Sequence, residues 1–101
     1  MRLRFLALAF LVMGVPAAMA LVGGGDVEFK VVGAGPVVFS HDSHIRAHFQ
    51  ACTDCHAGLF TTSSQHKPVS MAQMEKGASC GACHNGIRAF SVKENCQLCH
   101  Q

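Results

Sequence analysis

Three pentapeptides, Cys52-Thr53-Asp54-Cys55-His56, Cys80-Gly81-Ala82-Cys83-His84 and Cys96-Gln97-Leu98-Cys99-His100, use all six cysteines of a 101-residue chain, and each ends in histidine. No other feature narrows the outcome so far. Two thiols one helical turn apart can add to the two vinyl groups of one haem while the adjacent imidazole presents a nitrogen to the iron. Competing uses of these residues fit less well. A disulfide inside C-x-x-C strains the bond geometry and leaves three histidines without a purpose. Six thiols do not match one tetrahedral zinc centre, and a thioredoxin-like motif expects a single C-x-x-C within a larger βαβ pattern. The motifs therefore predict three covalently attached haem c groups.

Composition matters first at the N-terminus. Met1-Arg2-Leu3-Arg4 is a positive start, Phe5 to Val15 is an apolar run, and Pro16 is followed by Ala18-Met19-Ala20, an A-x-A site. This is the anatomy of a secretory signal peptide cleaved after Ala20, and the run is shorter than the ~18 residues of a spanning helix. The expected organisation is a signal peptide over 1–20 and one domain over 21–101, exported to the periplasm or beyond, with no stable membrane insertion after cleavage. Loss of Arg2 and Arg4 from the eight basic residues leaves six against six acidic ones. A neutral polypeptide offers no electrostatic footprint for nucleic acid. So small a domain also buries only about 60–65% of its unfolded surface, so the haem attachments are expected to staple it.

The motifs begin at 52, 80 and 96, so they are not equal repeats, and the 81 residues 21–101 leave 27 per haem (81/3), so regular structure should be sparse, with porphyrin forming most of the apolar interior. Val27, Phe29 and Val31 alternate with Glu28 and Lys30, and Gly33-Ala34-Gly35 separates them from Pro36-Val37-Val38-Phe39. This pattern predicts a short hairpin. Beyond it, Asp42 or Ser43 could cap a helix running to Phe49, while Ser70 with Gln73 and Ser91 with Glu94 have the form of capping boxes. Gly77 is placed to stop the second of these helices. The Thr/Ser-rich stretch 57–69 reads as a loop.

Four histidines lie outside the motifs, His41, His44, His48 and His66, and three irons each have a second axial position to fill. The segment Phe39-Ser40-His41-Asp42-Ser43-His44 ahead of three C-x-x-C-H motifs, together with Cys80-Gly81-Ala82-Cys83-His84-Asn85-Gly86 and Ala89-Phe90, resembles the triheme cytochrome c7 family, a reduced relative of tetraheme cytochrome c3. The likeness runs from about Asp26 to Gln101. It implies a small haem-dominated α+β domain, in which a short N-terminal β-hairpin precedes short helices and loops wrapped around the three haems. By position it also implies that His41 ligates the first haem opposite His56 and that His44 ligates the second opposite His84.

The chain departs from that pattern at the third haem, because Lys76 stands four residues before the second motif, where the family places a histidine. Ammonium is no iron ligand at neutral pH. Met71 and Met74, one turn apart, offer thioethers instead, and Met71 is favoured, with Met74, His66 and His48 as the alternatives opposite His100. Both methionines could also serve only as packing against porphyrin.

The resemblance implies a low-potential electron carrier rather than an enzyme, serving anaerobic respiration or extracellular electron transfer, with donor and acceptor cytochromes or reductases as partners. Two other roles stay open, a unit of a polymeric haem filament formed by self-association, and a haem sensor or reductase whose third iron is open. Surface lysines at Lys67, Lys76 and Lys93 are the expected docking sites on an acidic, propionate-bearing surface.

Overall fold

The computed structural model describes Gly14, Pro16, residues 20–62 and residues 64–101. The leader expected over 1–20 lies almost wholly outside the described residues. Among the described residues a short 3₁₀ turn (Val22–Gly24) precedes two antiparallel strands, β1 (Asp26–Phe29) and β2 (Val37–Ser40), registered with Asp26 opposite Ser40 and Phe29 opposite Val37. Alternation accounts for the pairing. Val27 and Phe29 turn inward while Asp26 and Glu28 face solvent, as a period of two requires. The strand stops two residues short of Val31, which the alternation had included.

Loop residues of the hairpin reach the far end of the chain. Val37 forms an antiparallel bridge with His100, and the Gln101 N–H donates to the Pro36 carbonyl at 3.0 Å. After β2 the chain winds into a π-helix over Ser43–Ala47. Asp42 was expected to cap this turn, but its carboxylate pairs with Arg46 Nε at 2.9 Å instead. Ser40 Oγ takes the capping role, accepting from the Ser43 N–H at 3.2 Å.

Each C-x-x-C-H motif occupies one tight turn, which puts both thiols and the imidazole on the same short element. The first is α1 (Cys52–His56), where Asp54 accepts from the Ala51 N–H at 2.8 Å. The second and third are 3₁₀ turns, Ser79–Ala82 and Cys96–Leu98, each closed by the histidine N–H donating to the carbonyl of its first cysteine, at 2.9 Å for His84 and 2.8 Å for His100. Gly81 is a poor helix former in the second. Asn95 enters the third from the left-handed region, at φ 55°.

Helix α2 (Met71–Met74) is a single turn held by the expected capping box. Gln73 N–H donates to Ser70 Oγ at 3.3 Å, and Ser70 N–H donates to Gln73 Oε1 at 2.9 Å. Gly77, at φ 94°, ends the turn as expected, and α2 packs on the turn Ser79–Ala82. Ser91 and Glu94 do not start a helix. Ser91 instead closes a turn, its Oγ accepting from the Lys93 N–H at 3.2 Å, because Asn95 reverses the chain before a helix could extend. Residues 57–69 hold no helix or strand among the described residues, as their composition suggested.

No apolar side chain is fully buried among the described residues, and the most enclosed are Ser79 and Gly81. The polypeptide lines its interior rather than filling it.

Candidate functional site

The hairpin and the π-helix bring His41 and His44 to opposite partners. His41 and His56 face each other with ring centroids 6.5 Å apart and planes within 19°, and His44 and His84 stand 6.2 Å apart at 73°. Neither pair is in contact. Imidazole nitrogens bind first-row metals at about 2.0 Å, and a nitrogen lies about 1.1 Å from its ring centre, so two rings on one metal stand about 6 Å apart. Both pairs have that separation.

The ring protons are placed to match. Nδ1 of each of five histidines lies beside a backbone carbonyl, an acceptor only, so Nδ1 must carry the proton. His41 donates to Gly25 at 2.6 Å, His44 to Ser40 at 2.9 Å, His56 to Phe60 at 3.2 Å, His84 to Phe90 at 3.0 Å and His100 to Gly35 at 2.9 Å. In the neutral ring Nε2 is then the nitrogen without a proton, with its lone pair available to a metal. His48 and His66 make no such bond to a described residue. Aromatic rings brace the same set. Phe39 packs against both His41, at 5.0 Å, and His44, at 4.4 Å, and Phe90 lies 4.4 Å from His84.

A cavity of about 480 Å³ lies between the first pair, lined by Val27, Phe29, Phe39, Phe60 and both cysteines of the first motif. That volume is typical of a cofactor site. His66 is on its wall, edge-on to Phe29 at 5.3 Å, which sets it beside the His41 and His56 pair. No two of the six cysteines are joined in a disulfide. Burial raises the Cys55 thiol pKa, and the neighbouring Cys83, Asp54 and Cys80 raise it further. Burial, then Cys80 and Cys96, raises that of Cys99. Cys80 acts on both, so the second motif lies near Cys55 of the first and Cys99 of the third. The donor set, the imidazole spacing and the apolar lining fit haem.

Comparison with known proteins bears on the same residues. The family model for cytochrome c7 and related cytochrome c matches residues 37–101. The chain belongs to the cytochrome c7 family. A c7-type three-heme cytochrome domain is 43% identical, with a TM-score of 0.68 over 75% of this chain and 91% of that one. The C-terminal hexaheme fragment of a larger cytochrome is 44% identical, with a TM-score of 0.67 over 74% of this chain. A dodecaheme cytochrome c is 43% identical, with a TM-score of 0.66 over 76% of this chain. The chain spans 46% of the hexaheme fragment and 25% of the dodecaheme protein. A search of curated proteins gave no match. This cytochrome c7 therefore carries three covalently attached haem c groups, and its fold is that of an electron carrier.

The remaining residues singled out in the sequence separate clearly. Met71 is 40% exposed, whereas Met74 is half-buried and lines a second hollow of about 560 Å³ beside His84. Lys76 and Lys93 share that hollow with Glu75, and Lys67 does not line it. The carbonyls that orient the imidazoles were not legible in the sequence. One indirect signal existed: Asn85-Gly86 is a turn pair, and Asn85 Oδ1 accepts from the Ile87 and Arg88 N–H groups to form the turn that carries Phe90 back to His84.

Proposed function

We propose that residues 1–20 are removed on export and that residues 21–101 act as a periplasmic electron shuttle whose three irons are all six-coordinate. Cys52 and Cys55, Cys80 and Cys83, and Cys96 and Cys99 hold the haems. His41 and His56 ligate the first, His44 and His84 the second, and His100 and Met71 the third. The observation that carries this reading is the pair of imidazole separations, 6.5 and 6.2 Å, with every one of those rings donating Nδ1–H to a carbonyl. With both axial positions of each iron taken by protein, no position is left for a substrate, and the residues serve to hold, orient and insulate.

Met71 is favoured over Met74 because Met74 is engaged in the hollow beside His84, while the Met71 side chain is the more exposed of the two. Bis-histidine ligation keeps the first two potentials low, and a thioether raises the third. Electrons then rest preferentially on the third haem. Lys76 and Lys93, on one hollow, form the docking site for an acidic redox partner, with Glu75 between them favouring brief contact.

A second reading has its own support. The hexaheme and dodecaheme relatives are multiples of three haems, so a domain of this kind can also serve as one unit of a longer haem array. Sedimentation of the purified protein separates a shuttle, which stays monomeric, from an array, which associates. The six-coordinate reading is tested by absorption spectroscopy of the reduced protein with and without carbon monoxide. A fully low-spin spectrum unchanged by carbon monoxide is expected; a high-spin fraction that shifts would establish an open iron, as in a sensor or reductase.

A further inference from the structure

We propose that Gly35 is the positioning residue for His100, so that closure of the hairpin loop on the far end of the chain sets the reduction potential of the third haem. This rests on the reading of His100 as an axial ligand. Four of the five oriented imidazoles take their carbonyl from within 16 residues, whereas the partner of His100 comes from 65 residues away. Its ring alone therefore depends on the two ends of the domain meeting.

Three contacts hold that junction: the His100 Nδ1–H to the Gly35 carbonyl at 2.9 Å, the Gln101 N–H to the Pro36 carbonyl at 3.0 Å, and the bridge between Val37 and His100. Gly35 is there because nothing larger fits. A Cβ at this position would overlap the Gln101 carbonyl oxygen and stand 2.9 Å from its carbon. Any side chain must push Gln101 away and drag His100 with it.

The chemical consequence has a definite sign. A carbonyl on Nδ1–H makes Nε2 a stronger donor, which favours the oxidised iron and lowers the potential. Loss of that bond raises it. The experiment uses the purified holoprotein, with each haem's midpoint followed by NMR-resolved redox titration and haem content by intact mass. Gly35→Ala and Gln101→Pro are each expected to raise the midpoint of the same single haem and leave the other two in place. Proline removes the Gln101 N–H, and its demand for an extended preceding residue suits His100, which already lies in a β-bridge. Gly33→Asn is the control, since Gly33 sits at φ 79° with nothing near its Cβ position and asparagine tolerates that region. It should move no midpoint.

Unchanged midpoints in both Gly35→Ala and Gln101→Pro would overturn the proposal. Should Gly35→Ala lose haem, Gln101→Pro decides alone. The underlying ligand assignment is read separately in the oxidised wild type, where the His100 ring must show paramagnetic shifts. Their absence would remove the assignment and the proposal with it, whereas shifts without a midpoint change would remove the proposal alone.

Discussion

An imidazole is a good iron ligand only when its proton sits on the far nitrogen, and in this chain main-chain carbonyls hold it there. Gly25, Ser40, Phe60, Phe90 and Gly35 supply those carbonyls, so the identity of the supporting residue matters less than the path of its backbone. The cysteines and histidines of the three motifs could be read from spacing, and His41 and His44 from the family resemblance, because these side chains carry the chemistry. The carbonyls could not, since every residue has one and only the fold selects which is aimed at a ring. Met71 is the residue whose role is most exposed to test. The oxidised protein is expected to show a weak near-infrared methionine-to-iron charge-transfer band that Met71→Ala abolishes, and persistence of the band in that variant would transfer the role to Met74.

Elements in this protein are single turns, and each depends on its cap. Helix α2 carries Met71 on one turn closed by the reciprocal bonds of Ser70 and Gln73. Ser70→Ala is expected to cost about 1 kcal/mol, the usual value for a lost N-cap, lowering Tm by about 4–8 °C in a domain of this size. Thermal unfolding followed at the haem absorption checks it; a Tm within a degree of the wild type would show that the cap is redundant once the haems are bound. This cap was legible because serine and glutamine three apart have a specific reciprocal geometry. The same pattern at Ser91 and Glu94 misled because Asn95, in the left-handed region, reverses the chain there. Asp42 misled for another reason, since Arg46 one turn on competes for its carboxylate. The hairpin was legible from the alternation of Val27 and Phe29 with their charged neighbours, although the first strand ends at Phe29, short of Val31.

As a whole molecule, the described polypeptide closes no apolar core of its own, and its second attachment motif lies near a cysteine of each of the other two. Stability and function thus share one origin, because the groups that carry electrons also supply the apolar interior to which the chain is stapled. The few residues available per haem predicted sparse regular structure for this reason, and the short turns agree. The family resemblance implied the pairing of His41 with His56 and of His44 with His84, and the third dimension adds the ring separations of 6.5 and 6.2 Å. The central claim is that three haems are bonded to the six cysteines, and intact mass of the purified protein tests it most directly. Under denaturing conditions the mass should exceed that of its polypeptide by three haem groups. An excess of two haems or fewer, or haem that dissociates on denaturation, would contradict it.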